Sequence, residues 1–337
     1  MILIGAGNTA DLLKAFMAKY NYQLKDEFEV CLDNDSSKWN SKIDGVWIKP
    51  VEEINKYPES QIVIASIYEK ELREQLLLLD VEEQRIISVD SYKRRLFAKY
   101  QKREYANYHK MSVQPESIVE KVTKMTVYTT IFGGYDTLSE PVVKNPHVRF
   151  ICYTDNKNIT SDTWEVHYVE RRFKCPVVES RWYKMLPHLF IEDGYSMWID
   201  ANICLLSDPL QYVNNYLGNY DFLLVPHGER DCIYEEAAIC ITLHRANTQD
   251  LIHQMKAYMD EGCPEHVGLF LGGMLVRKHH SCRMKRFDEL WWKDFLAYSK
   301  RDQISLGYLL WKEQLPISVN AIDIYDNPFV KVVNHLK

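Results

Sequence analysis

No stretch of this chain approaches the ~18 consecutive apolar residues of a membrane-spanning helix, so any membrane association is expected to be peripheral. Paired cysteines are also missing. The eight cysteines (31, 152, 175, 204, 232, 240, 263, 282) include no C-x-x-C spacing, and Cys152 and Cys240 sit inside apolar runs. In 337 residues this argues against a disulfide framework or a zinc site and for the reduced, buried thiols of a cytosolic protein. Positive charge is not in excess either. A net charge of −6 gives no global field to attract nucleic acid, and no nucleic-acid partner is expected. The N-terminus runs straight into Ile2-Leu3-Ile4-Gly5, a strand entering a glycine turn rather than a secretion signal. A cytoplasmic location follows as an expectation, with the inner membrane face as the surface open to peripheral contact.

What is present is ordinary globular material, 46% hydrophobic and 26% charged, in a length that suggests two domains. Met1 to Ile4 is a short strand. Gly5-Ala6-Gly7-Asn8-Thr9-Ala10 follows, and then a helical pattern through Leu12, Leu13, Phe16 and Met17. Such a unit offers a tight turn and a helix N-terminus to a phosphate. A strand from Phe28 to Leu32 ends in Asp33-Asn34-Asp35, where an acid can accept from ribose hydroxyls. A third strand, Gln61 to Ser66, precedes a helix from Glu69 to Leu79. Residues 1–91 therefore read as a small doubly wound Rossmann-like α/β domain with Gly5, Gly7 and Asp33 as its candidate ligand residues.

Ile4-Gly-Ala-Gly7, Leu32-Asp-Asn-Asp35 with Lys38, and Ile62-Val-Ile-Ala-Ser66 make this domain similar to the small Rossmann-like domain of bacterial sugar-modifying enzymes. The resemblance implies a nucleotide-sugar site or an accessory module. NAD, which would make the chain a nicotinamide-dependent sugar oxidoreductase, is the competing ligand and ranks last, because it gives the rest of the chain no role. An empty, inherited fold is the remaining reading.

Residues 92–122 change in character. Lys93, Arg94, Arg95, Lys99, Lys102, Arg103 and Lys110 alternate with Tyr92, Leu96, Tyr100, Tyr105 and Tyr108, and Pro115 lies near the end. The spacing predicts a basic amphipathic helical linker that either touches an anionic membrane or polyanionic acceptor, or packs solvated on one domain.

The remainder, 123–337, alternates strands and helices. Lys124 to Ile131 is a β-branched strand running into Phe132-Gly133-Gly134-Tyr135-Asp136, where glycines allow close approach and Tyr135 can stack on a base. Arg149 to Tyr153 ends in Thr154-Asp155, a carboxylate at a strand's ligand-facing end. Past Arg171, Arg172 and Lys174, Arg181, Lys184 and His188 recur at helical spacing, a cationic face suited to a diphosphate. The alternative is a surface face balanced by Glu179 and Glu192. The apolar run Met197 to Ile199 ends in Asp200, and Asn202 follows two positions later. In an extended chain residues i and i+2 share a side, so both oxygens can meet one Mg²⁺ or Mn²⁺. Asp-x-Asn also simply begins turns. Further on, Asp221 to Val225 leads into the ionisable loop His227 to Asp231, with Glu235-Glu236 on a helix. Leu269 to Val276 contains Gly272-Gly273, and Arg301-Asp302-Gln303 opens a helix.

Tyr128-Thr-Thr-Ile-Phe-Gly-Gly-Tyr-Asp136, Phe150-Ile-Cys-Tyr-Thr-Asp155, Trp198-Ile-Asp-Ala-Asn-Ile203 and His227-Gly-Glu-Arg-Asp-Cys-Ile-Tyr-Glu-Glu-Ala237, with Gly268 to Arg277 and Arg301-Asp-Gln303, carry a second resemblance. Over roughly 124–325 the chain resembles a glycosyltransferase-like family, domain of unknown function 616, with plant cell-wall and bacterial surface-polysaccharide members. The resemblance implies a GT-A-type α/β domain and metal-assisted transfer from a nucleotide-sugar, UDP-linked, to a glycan acceptor. It implies donor contacts from Thr129, Phe132, Gly133, Gly134, Tyr135, Asp136, Asp155, Arg181 and Lys184, and metal contacts from Asp200, Asn202 and His335. Asp302 would orient the acceptor, Gln303 would stabilise an oxocarbenium-like transition state, and His227, Arg230, Asp231, Glu235 and Glu236 would form the acceptor side. Mn²⁺ or Mg²⁺ is the implied cofactor, with no flavin or haem. Asn202 departs from the family's Asp-x-Asp, since a neutral amide is a weaker ligand than a carboxylate. A non-catalytic nucleotide-sugar-binding scaffold in polysaccharide assembly is the rival reading. No oligomeric state is legible.

Overall fold

The computed structural model of the chain describes residues 1–108 and 121–334. It divides into two compact units, Met1–Tyr100 and Gln101–Lys337.

In the first unit, β1 (Ile2–Ile4), β2 (Val30–Leu32), β3 (Lys42–Ile43), β4 (Val46–Lys49), β5 (Ile62–Ile64) and β6 (Ile86–Ser88) form one sheet in the order β3-β4-β2-β1-β5-β6. All neighbours run parallel except the β3–β4 hairpin. Continuous apolar strands suit a sheet covered on both faces. Leu3 packs with Ala10 and Leu13 of α1 (Asn8–Lys19), whereas Ile2 and Ile4 face Val51, Ile54 and Leu76 on the other side. The short helix α2 (Leu24–Glu27) and α3 (Glu69–Leu78) complete the layers.

The first part of the expected basic helical linker lies in helix α4 (Val89–Tyr108), which begins three residues earlier. Tyr92 and Leu96 are buried in the core of the first unit, and Gln101 and Tyr105 are buried within the second. Tyr92, Leu96 and Tyr105 therefore serve as core side chains, whereas Lys99, Lys102 and Arg103 are exposed. Lys110 and Pro115 lie outside the described residues. Among the described residues no helix is long and apolar enough to cross a membrane.

In the second unit the strands are β7 (Met125–Ile131), β8 (Val148–Thr154), β9 (Glu165–Tyr168), β10 (Ser196–Ile199), β11 (Ile203–Leu205), β12 (Phe222–Pro226), β13 (Phe270–Arg277), β14 (Ser318–Val319) and β15 (Val330–Val332). Seven of them make one sheet in the order β14-β12-β13-β10-β7-β8-β9. Every neighbour is parallel except at β13, which runs antiparallel to both β10 and β12. β11 and β15 form a separate antiparallel pair. The helices are α5 (Pro176–Met185), α6 (Pro209–Tyr216), α7 (Ile233–Thr242), α8 (Thr248–Asp260), α9 (Cys282–Ala297) and α10 (Asp302–Glu313). Tyr128 and Trp198 face one core layer with Phe287 and Trp291 of α9, and Val127, Met197 and Ile199 face the other. This is the mixed α/β architecture expected for this part of the chain. Its parallel strands β7, β8 and β10 end on the side where ligands bind in such sheets.

Candidate active site

Asp200 follows the last residue of β10, and its N–H donates to Gly273 O of the neighbouring strand at 2.8 Å. The chain does not stay extended here. Ile203 N donates back to Asp200 O at 2.9 Å, so Asp200 and Asn202 belong to a turn. They nevertheless line one cavity of about 200 Å³, brought together by the turn and not by strand alternation. Asp200 Oδ1 accepts from Trp198 Nε1 at 2.9 Å. Asn202 Nδ2 donates to Val333 O at 3.1 Å.

The opposite wall is cationic. Arg181 and Lys184 project from α5, and Arg301, Asp302 and Gln303 come from the start of α10. The fully buried Lys184 ammonium donates to Asp302 Oδ2, and Arg181 Nε lies 3.0 Å from the same oxygen. Burial alone would push the Asp302 carboxyl up, but Arg181, Lys184 and Arg301 outweigh it and hold the group well below its ordinary range. Burial, with Arg181 beside it, lowers Lys184, and Asp302 and Asp200 counter that by favouring its charge. Three cations and two carboxylates thus line the cavity, an excess of positive charge that favours an anionic ligand.

Both ends of the ion pair are fixed from behind. Arg277 Nη2 and Tyr128 Oη donate to Lys184 O at 2.5 and 3.3 Å, and Arg277 itself pairs with buried Asp288 at 2.9 Å. Trp291 Nε1 donates to Asp302 O at 3.0 Å. Gln303 Nε2 donates to Phe270 O at 3.1 Å, which locks that side chain against β13. A Cβ at Gly272 would sit 2.7 Å from Lys184 Nζ and 3.1 Å from Asp302 Oδ2, so a side chain there would displace this ion pair.

His188 leaves the predicted cationic face. Pro187 begins a separate turn beyond α5, and His188 Nε2 lies 3.6 Å from Glu289. Glu179, expected as surface balance, is buried and accepts from Arg172 Nη1 at 2.8 Å and Phe173 N at 2.9 Å.

The expected donor segment divides in two. Thr129 and Phe132 are 1% and 4% exposed, because β7 is covered on both faces, and Phe132 stacks on Tyr183 inside the core. They are core residues and not ligand contacts. Gly133 and Gly134 adopt φ of +67° and +62°, and a Gly133 Cβ would meet Pro176 Cγ at 2.9 Å. Asp155 Oδ1 accepts from Gly133 N at 3.1 Å and Oδ2 pairs with Arg171 Nε at 3.0 Å, so Asp155 holds this glycine loop in place. Tyr135 is 51% exposed on the loop. Asp136 lies on the same loop, and neither residue lines the cavity.

The acceptor-side residues are not an open wall. Arg230 Nε donates to buried Glu236 at 3.0 Å, and His227 Nδ1 accepts from the N–H groups of Glu229 and Arg230, each at 3.2 Å. Asp231 pairs with His266 at 2.7 Å, and Glu235 is exposed. Glu236 Oε1 lies 3.8 Å from Arg301, which connects this network to the cavity. His335 lies outside the described residues, and among those described no three His, Cys, Asp or Glu side chains form a metal cluster.

Three contributions escaped sequence reasoning. Arg301 was legible only as the neighbour of Asp302. The close approach of Gly272 to Lys184 Nζ depends on a residue 88 positions away. Ile324, Tyr325 and Val332, from the C-terminal segment, complete the cavity and carry no local signature.

In the first unit, Gly5 has φ +96°, and a Cβ would lie 2.8 Å from Ala65 O. Asp33 Oδ2 accepts from Ala6 N at 2.6 Å and Oδ1 from Asp35 N at 2.7 Å, with Lys38 Nζ 3.3 Å away. Asp33 thus binds the glycine loop to the end of β2, where a ribose hydroxyl was expected. Gly7 has no such steric demand.

A mixed α/β domain with a polar, cation-lined cavity beside an acidic strand end is the frame of a glycosyltransferase-like protein. Residues 96–335 match the model of the TOD1/MUCI70 glycosyltransferase-like domain, and the chain belongs to that family. Residues 1–87 match the C2185-like N-terminal domain. No curated protein matches the chain. Among solved structures, WbbM, a bifunctional glycosyltransferase in its apo form, is similar at 11% identity with a TM-score of 0.38 over 62% of this chain. The chain spans 40% of that structure's length.

Proposed function

We propose that the second unit transfers a sugar from a UDP-linked donor to a surface polysaccharide or glycan acceptor, assisted by Mn²⁺ or Mg²⁺. The carrying observation is one cavity lined by Asp200 and Asn202 together with Arg181, Lys184, Arg301 and Asp302. The donor set fits a hard cation in part. Internal hydrogen bonds engage Asp200 Oδ1 and Asn202 Nδ2, leaving one further oxygen on each side chain. Diphosphate oxygens would complete the shell. When bound, the ion neutralises charge on the leaving diphosphate.

The chain's own residues do the rest. Arg181 and Lys184 add positive potential beside the leaving group, in a wall where low dielectric strengthens it. Asp302 is ionised at neutral pH and held well below its ordinary range, so it is a weak base that positions the acceptor hydroxyl by accepting from it. Gln303, held by its bond to Phe270 O, would stabilise the developing charge at the reacting carbon. The acceptor oxygen bonds to the anomeric carbon, the sugar–phosphate bond breaks with its electron pair going to the diphosphate, and the hydroxyl proton passes to solvent or to that phosphate. Positioning provides much of the rate. The first unit serves as a nucleotide-sugar or accessory module in this scheme.

Asp200→Ala tests the proposal. Transfer over a panel of nucleotide-sugar donors and Mn²⁺-stimulated UDP binding should both disappear, and wild-type turnover in this variant would sink the assignment. Calorimetry with UDP and Mn²⁺ on the wild-type protein that finds binding but no turnover supports the scaffold instead.

A further inference from the structure

Asn202 stands where a second carboxylate would complete an acidic metal motif, and its contacts supply a reason for the amide. Its backbone O accepts from Val333 N at 2.8 Å. Its side-chain Nδ2 donates to Val333 O at 3.1 Å. Both bonds close on one residue of the C-terminal segment, immediately after β15 pairs with β11 in the register Ile203↔Val332. A carboxylate has no N–H to offer. Aspartate here would set a charged oxygen against the Val333 carbonyl, replacing an attraction with a repulsion.

We infer that Asn202 is a positioning residue whose amide pins the C-terminal strand onto the Asp200 turn. The departure from a two-carboxylate motif is on this account a requirement for a donor. Upstream, the same segment is set by its own bonds. Asn327 Nδ2 donates to Asp323 O and Ile324 O at 2.9 and 3.0 Å, and Asn327 Oδ1 accepts from Phe329 N and Val330 N, both at 2.9 Å. Leu206 N donates to Phe329 O at 2.8 Å. Past the ladder, among the described residues, the bonds on Val333 both run to Asn202. Ile324, Tyr325 and Val332 of this segment line the cavity, so the bond at Asn202 sets the position of a cavity wall. The consequence for ligand binding rests on the donor-site reading above, whereas the bond itself does not.

The test uses full-length Asn202→Asp, Asn202→Ala and Asp200→Ala. Hydrogen exchange at Val333 reports strand opening, Mn²⁺ binding is read by electron paramagnetic resonance, and UDP binding by calorimetry. Losing one net hydrogen bond should speed Val333 exchange about fivefold in Asn202→Ala. Asn202→Asp should exchange faster still, and UDP affinity should fall in both. Asp200→Ala should keep wild-type exchange, which separates this inference from the functional one: full turnover in Asp200→Ala overturns the donor-site reading and leaves the exchange result standing. Wild-type Val333 protection in both position-202 variants overturns the inference, as does tighter Mn²⁺ binding by Asn202→Asp with protection unchanged. Lost protection with unaltered UDP affinity overturns the positioning role.

Discussion

Lys184→Met removes one charge from the cavity wall and keeps the aliphatic stem. Lys184 is 1% exposed and Asp302 7%, so both charges have left water and depend on each other. Removing one partner of such a pair typically costs 3–5 kcal/mol. Arg181 Nε remains 3.0 Å from Asp302, which places the expected loss at about 3 kcal/mol, the low end of that range. For a domain of this size that is a fall in Tm of about 6–12 °C. The pH dependence has a definite sign. The Asp302 carboxyl is held below its ordinary 3.8, so its stabilisation is full above 3.8 and is lost as pH falls through the folded value. Without Lys184 the folded value rises, so this stabilisation is smaller and its loss is complete at a higher pH. Calorimetric melting of the full chain across the acid range measures both effects, and a cycle with Asp302→Asn should return a coupling of about 1–3 kcal/mol. UDP binding should weaken about tenfold, equivalent to ~1.4 kcal/mol for one charge-assisted contact. A variant that melts within ~2 °C of wild type and binds UDP normally refutes the claim that this pair organises the site.

Two further outcomes concern other parts of the chain. Asp33→Ala should cost on the order of 3 kcal/mol in urea unfolding, because two backbone N–H groups lose a charged acceptor; a change under about 0.5 kcal/mol would show that the glycine loop holds itself. The Asp231 carboxylate raises His266 above its ordinary 6.5, so the pair's stabilisation is full below 6.5 and is lost as pH rises through the folded value. His266→Ala should therefore lower Tm at about pH 5.5 and leave it unchanged at about pH 9, and an equal drop at both would contradict the pairing.

Much of the fold could be read from the chain because strands and helices announce themselves locally. The β-branched run to Ile131, the apolar strand before Asp200 and the proline-led α6 after Asp208 all appear within a residue or two of their expected places. Misreadings arose where a distant partner decided. Thr129 looked like a ligand group until β7 was covered on both faces, and Tyr92 and Tyr105 of α4 looked like part of an amphipathic surface until each met a core. His188 kept helical spacing in sequence, but Pro187 took it off the face.

The sequence by itself determined two α/β units, an acid at the end of a central strand and a cationic helix before it, since each is a matter of local periodicity and residue type. Only the tertiary structure decided what those groups do. It set Lys184 against Asp302 across 118 positions, left no room for a Cβ at Gly272 between them, and joined Asn202 to Val333 across 131. Periodicity records which face of an element is buried. It does not record which donor will meet which acceptor once the sheet has brought distant segments together.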